Sequence, residues 1–487
     1  MLDHPTGAGS EGDFRLNFDA RVRLEFHGSK ISSDGGLLLY RELDESLGLF
    51  DKTVRFLRDT RKGKNGVHTL MGLLRQLVFG RLAGYKDVND AARLARDPVM
   101  RQIIGGRAAD GQAACSSQMG RFETEVLATA ANREALAVPG QWIDAVHGRN
   151  ITLDMDSSVS PTHGAQEGSA WNGHFGCNCY HPLFIFNQFG HLERCARRKG
   201  NVHSADDWKA LLIPVIARYA ERDIMRFFRA DAAFAIPELY EALEAEGYYY
   251  AIRLKKNAVL EEKISHRLTR PVGRPSKTKI KRFYETFEYQ AASWSKPRQV
   301  VAKIEWHPGE LFAKTSYIVT NLPFAPKELF RFYNQRGTAG QHIKEGKNAI
   351  IWNRLSCKRF CDNELRLQLH ALAYNPGVFL QGLDLPEEIA DCSLTSIQSR
   401  LFKIGARGLC AMLAKSRSNW PRSQSMDRYF DKSSMPSPTS SHPRGLNDGP
   451  IKENHTKAAL QLRLGACQMA QNPRKDRKTR LRDRQNQ

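Results

Sequence analysis

The chain lacks any apolar run close to the ~20 residues that a membrane-crossing helix needs. Its opening, MLDHPTGAGSEGDF, has neither a basic start nor an apolar stretch, so it is not read as a secretory leader and a cytoplasmic setting is expected. Cysteine is sparse, nine in 487 residues, odd in number and scattered, which argues for reduced thiols rather than a disulfide framework. Neither a phosphate-cradling glycine loop nor a GxSxG elbow occurs, so ATPase and serine-hydrolase readings have no support. Acidic residues are the other shortage. Against 52 Asp and Glu stand 73 Lys and Arg, a net charge of +21 with a pI near 9.6, and such a balance points to a polyanionic partner, most commonly nucleic acid. Of that excess, +10 lies in residues 408–487, and the first 407 residues retain +11, so the inference survives in weaker form without the tail.

Residues 1–148 read as an all-helical N-terminal domain. GGLLLYRELDESLGLF, VHTLMGLLRQLVFGRLAG and DVNDAARLARDPVMRQII carry apolar residues at helical spacing, broken by glycine-containing turns. Arg58, Arg61, Lys62 and Lys64 fall in a loop between two of these helices; a solvated basic loop and a DNA contact both fit them. From residue 150 the period changes to two. NITLDMDSSVS puts Ile151, Leu153 and Met155 on one strand face and Thr152, Asp154 and Asp156 on the other. Strands around a turn at Phe189–Gly190, an amphipathic helix, the strand IMRFFRAD, a helix opened by Pro237 and the strand YYYAIRL follow, a mixed α/β order. The first part of this core is bounded at 149–258 and its C-terminal part at 321–407. Between them, residues 259–320 read as an inserted β-rich subdomain, with a basic loop whose Gly-Arg-Pro fits a minor-groove arm or a flexible linker.

Asp156 and Asp231 each stand at a strand end. Acidic side chains in such places can converge on divalent cations, because hard oxygen ligands suit Mg²⁺, and a metal pair ~4 Å apart clamps both oxygens of a phosphoryl displacement. Aspartate is also a common turn former after a strand. A third feature is RFYNQRGTAGQHIKEGK, residues 331–347. At about 100° per residue from Tyr333, Arg336, position 340 and Lys347 fall at about 300°, 340° and 320°, so one face presents phenol, guanidinium and ammonium. Such a face can grip phosphates beside a scissile bond, and a carboxylate among them would complete a metal site. Position 340 is glycine.

These stretches, together with LDMDSSVSPTHGAQEGSAWNGHFGCNCYHPLF, RCARRKGNVHSADDW and FRADAAFAIPELYEALEAEGYYYAIRL, resemble the DDE transposases of bacterial insertion sequences that bear a Y-x2-R-x3-E-x6-K signature. The resemblance is narrower still to the branch related to piggyBac elements, and it runs from about residue 28 to residue 407. It implies an α/β, ribonuclease-H-like mixed-sheet catalytic core, a β-rich insertion between the second and third acids, and a helical domain that binds element ends. It also implies two Mg²⁺ ions held by three acids, double-stranded DNA as partner (terminal inverted repeats and target), a homodimer on that DNA, and a bacterial, nucleoid-associated setting. By the motif, Asp156 matches the first acid, with Asp154 as the fallback; Asp231 matches the second; and Tyr333, Arg336 and Lys347 match the residues that position DNA.

The third acid is where the chain departs from the pattern, because the family's glutamate position falls on Gly340. That loss removes a metal ligand and its charge. Glu345 is the nearby substitute, but it lies at about 120° on the same wheel, facing elsewhere. After Arg407 the resemblance stops, and residues 408–487 read as a disordered, Ser-, Pro- and Arg-rich tail. Codons can be chosen for Gly408–Ser425 that, read from the third base, spell VVRHAREVTFQLAEVAV, which resembles the family's continuation; a frameshift near Arg407 is expected. His174, Cys177, Cys179 and His181 in HFGCNCYH raise zinc as a rival, but C-x-C running into PLFIF fits a packed strand better. Two functions stay open: an active Mg²⁺-dependent transposase that tolerates Gly340 through local rearrangement, and a degenerate copy that binds DNA or sister transposases without cutting.

Overall fold

The structure is a computed structural model that describes residues 8–9, 13–16, 19–25, 31–62, 66–137, 150–269, 272–273, 278–382 and 392–407. Lys64, Arg274 and the whole tail from Gly408 lie outside the described residues.

The N-terminal part is not all helix. Strands β1 (Ala8–Gly9), β2 (Asp13–Leu16) and β3 (Asp19–Glu25) form an antiparallel sheet, and β4 (Ile31–Ser32) follows before the first helix at Leu37–Leu47. The remaining described segment is helical as read. Thr69 caps Leu70–Leu82 by accepting from the Gly72 amide, and Asp97 caps Pro98–Ile104 with proline at the first turn. A π-helical turn occupies Phe122–Leu127.

The central sheet begins with β5 (Asn150–Ser157), from which β6 (Ser160–Pro161), β7 (Ala170–Asn172) and β8 (Cys177–Tyr180) branch as a small separate sheet. The main sheet continues through β9 (Leu183–Asn187), β10 (Leu192–Ala196), β11 (Met225–Ala230), β12 (Tyr249–Leu254), β13 (Lys281–Tyr289), β14 (Arg298–Trp306) and β15 (Lys314–Thr320). Their order in space is β10-β9-β5-β11-β12-β15-β14-β13. β5, β11 and β12 run parallel, and the strands on either side are antiparallel. The three strands of segment 259–320 therefore extend the central sheet through the β12–β15 pairing rather than forming a subdomain with a sheet of its own.

Each face of the sheet is covered by a different set of helices. Ile151, Leu153 and Met155 of β5 pack with Phe228 and Ala230 of β11 against the helices Trp208–Tyr219 and Pro237–Ala245. On the opposite face, Phe184, Phe186, Leu192 and Cys195 join the long helix Phe360–Gln381 and the N-terminal helices in one core. The helical N-terminal segment is thus packed into the body of the protein. Its start is held by the last described strand, β16 (Ala406–Arg407), which pairs with β4, and by the Gly35 amide donating to Ile404 O at 2.9 Å. The backbones approach so closely that a Cβ on Gly36 would sit 1.6 Å from Leu401 O, so only glycine fits there.

Candidate active site

The period-two alternation in β5 sends Thr152, Asp154 and Asp156 to the face away from Ile151, Leu153 and Met155. Register pairs Asp154 with Arg229 and Met155 with Ala230 across the parallel strands, which brings Asp231, just past β11, alongside Asp156. Asp231 also caps the short 3₁₀ turn Ala232–Phe234 by accepting from the Ala233 amide at 2.9 Å. The turn-forming and site-forming readings of this aspartate are therefore compatible.

The stretch 331–347 lies across these strand ends in three pieces. Pro326–Asn334 is a helix with proline in its first turn, Gln335–Arg336 is a turn, and Gly337–Glu345 is a second helix that passes into a π-helical turn, Gly346–Ile350. Arg336 reaches both acids. Its Nη2 is 2.8 Å from Asp156 Oδ1 and 3.7 Å from Asp231 Oδ2, and since no N–H is aligned for a directed hydrogen bond the contact is an ion pair. Burial raises the Asp156 pKa to about 6 even though Arg336 pulls it down; the neighbouring Asp231 charge pushes it further up. Burial also raises the Tyr333 phenol, which feels Arg336, Arg253 and both acids, and lowers the Lys347 ammonium against the opposing pull of Asp156. Tyr333, Arg336 and Lys347 thus all lie within electrostatic reach of Asp156, as the helical wheel expects, despite the turn and the π-helical segment.

Asp154 has a different environment. Buried to 1% exposure, it receives the Arg229 fork, with Nε and Nη2 each donating at 2.7 Å to one of its oxygens. Burial raises its pKa, and the Arg229 hydrogen bonds oppose that rise. Both its oxygens are engaged by the fork, so in this arrangement Asp154, the fallback for the first acid, braces β5 against β11. Sequence reasoning overlooked Arg229. The available signal was its place two residues before Asp231, on the same strand face, where the preceding residues Met225 and Phe227 are apolar.

Gly340 is exposed, one helical turn beyond Arg336, and a Cβ built on it meets nothing within 4 Å. Space for a side chain exists there; the side chain does not. Glu345 faces away, held by the Gln341 side chain and the Leu394 amide, with burial raising its pKa. Among the described residues no three His, Cys, Asp or Glu side chains gather where they could hold a metal ion. Asp156 and Asp231, bridged by a guanidinium, do not make up the set of three acids that the resemblance implies for two Mg²⁺ ions.

The zinc rival resolves into a packed strand. Cys177 and Cys179 lie on β8, Cys179 is fully buried, and His181 Nδ1 is 3.0 Å from Val202 O. In the basic loop, Arg61 is occupied by a fork to Asp59 and by His68 O, yet with Lys62 and Arg121 it lines an open cleft of about 330 Å³. The Arg58 amide is tied to Asn132 Oδ1 at 2.7 Å.

An antiparallel pair of strands leading into three parallel ones, with aspartates at the ends of the two central strands, defines a ribonuclease-H-like α/β fold. Within that class the chain belongs to the transposase DDE domain family, group 1, whose family model matches residues 14–417. A solved structure similar to it is a piggyBac transposase synaptic complex with hairpin DNA, at 12% identity over 86% of this chain and 89% of that one, with a TM-score of 0.38. No curated protein matches the chain. Among the described residues no helix is long and apolar enough to cross a membrane.

Proposed function

We propose that this transposase is the product of a bacterial insertion sequence, binds the double-stranded ends of its element, and is impaired in Mg²⁺-dependent strand cleavage and strand transfer. The observation that carries this reading is Gly340, an exposed residue with open space around a Cβ built on it, at the position where the family signature has its glutamate. Asp156 and Asp231 are the retained acids. Tyr333, Arg336 and Lys347 form the face that grips phosphate, Arg336 through its fork and Lys347 as a point charge. The net charge of +21 supports a nucleic-acid partner. A homodimer on DNA follows from the need to process two element ends together.

The Arg336 bridge favours a second reading, in which the chain binds DNA without cutting it at all. Incubation of end DNA with Mg²⁺ or Mn²⁺ separates the two. Slow nicking by the unmodified chain, enhanced by Gly340→Glu, supports impairment; nicking only after Gly340→Glu supports the DNA-binding remnant; robust nicking by the unmodified chain overturns both. The family match continues to residue 417, past the expected end of the resemblance at Arg407, so sequencing the gene across the codons of residues 407–417 and beyond decides for the tail: a single small insertion or deletion must restore the family's continuation, or the frameshift idea fails.

A further inference from the structure

The Asp154–Arg229 pair does more than join two strands. While Nε and Nη2 of Arg229 bind the Asp154 carboxylate, Nη1 donates to Phe332 O at 2.7 Å and approaches Gln335 Oε1 at 3.2 Å, with the Phe332 ring centroid 4.9 Å from the guanidinium carbon. Asp156 stands two residues beyond Asp154 and Asp231 two beyond Arg229, so the pair lies one layer beneath the two acids on the same sheet face. Phe332 precedes Tyr333, and Gln335 precedes Arg336. One guanidinium therefore ties both acid-bearing strands to the backbone that carries two of the phosphate-gripping side chains. Apolar residues of similar volume can match a buried ion pair in stability, but a planar fork adds direction.

We infer that Asp154 and Arg229 are positioning residues that hold the Gln335–Arg336 turn, and with it the Arg336 guanidinium, over the Asp156–Asp231 pair. This inference rests on the proposed binding of element ends. It differs from a role in metal coordination for Asp154, and it makes the placement of Arg336, but not that of Lys347 in the following π-helical turn, depend on the brace.

The test uses the full chain and a duplex of the element end, taken from DNA flanking the gene, with binding measured across salt concentrations. Arg336→Ala and Lys347→Ala are each expected to reduce the salt slope by about 1. In an Arg229→Lys background, which keeps the charge but loses the fork, Arg336→Ala should have no further effect while Lys347→Ala keeps its full effect. Gln335→Ala, which removes one contact at the turn and leaves the buried pair intact, should show the same selectivity in weaker form with unchanged melting, and it decides the matter if Arg229→Lys does not fold. Additive effects of the brace and Arg336 substitutions, or equal blunting of the Arg336 and Lys347 effects, overturn the inference while the DNA-binding reading stands. No binding by the unmodified chain overturns that reading and this inference together.

Discussion

Asp154 and Asp156 stand two residues apart on one face of β5 and have opposite surroundings. Asp154 is buried in the Arg229 fork, whereas the Asp156 side chain keeps 16% of its exposure and meets Arg336 from the solvent side of the sheet end. Both Asp154 oxygens accept from the Arg229 fork, whereas Asp156 meets Arg336 through one oxygen, so Asp156 is the more available carboxylate for a cation.

Gly340→Glu is expected to fold as well as the parent, because the position is open and glycine inside a helix costs about 1 kcal/mol relative to good helix formers. Melting in Mg²⁺ and in EDTA checks this. The substituted chain should gain thermal stability on adding Mg²⁺ where the parent gains little; equal responses would count against position 340 as the lost ligand.

Arg336→Ala leaves two neighbouring carboxylates without their shared cation. In EDTA the variant should lose on the order of 1–2 kcal/mol, less than a fully buried pair because the site is partly exposed. Denaturant titration with and without millimolar Mg²⁺ measures the loss and its recovery. No loss in EDTA would mean that the bridge contributes nothing.

Asp156 carries a pH dependence of definite sign. Its folded pKa of about 6 lies above the ordinary aspartate value of 3.8, so the folded chain binds this proton more tightly than the unfolded chain does. The associated stability is fully present below about pH 4 and is lost as pH rises through about 6, on the order of 2–3 kcal/mol in all. Urea unfolding of Asp156→Asn without divalent cations should show the variant more stable than the parent at pH 7.5 and level with it at pH 4. A variant that is less stable at pH 7.5 would contradict burial as the dominant cause.

Glu345→Gln tests the nearby acid. Because Glu345 points to the Leu394 amide, the substitution should leave nicking by the Gly340→Glu chain within about twofold. Loss of nicking on the same end DNA would show that Glu345 reaches the acids after all.

Much of the site was legible because the relevant periods are local. Alternation in NITLDMDSS placed Asp154 and Asp156 opposite the core, and the 100° wheel placed Tyr333, Arg336 and Lys347 on one side with Glu345 on another. The N-terminal strands had a signal as well, since Phe14 with Leu16, and Ala20 with Val22 and Leu24, alternate with polar residues. That signal was outweighed by the helical rhythm of the longer segments beyond it. The attachment of β13–β15 to the main sheet had no local mark, because strand pairing depends on a partner far away in the chain.

The sequence by itself determined the strand faces and the helix face, because each follows from residue type and backbone period; that an acid is missing at Gly340 came from the family signature it resembles. The tertiary structure alone decided that Arg336 spans Asp156 and Asp231, that Arg229 occupies Asp154, and that the N-terminal helices share a core with Phe360–Gln381. Those are contacts between segments distant in the chain, set by strand register and by which apolar faces bury each other, and no local period encodes them.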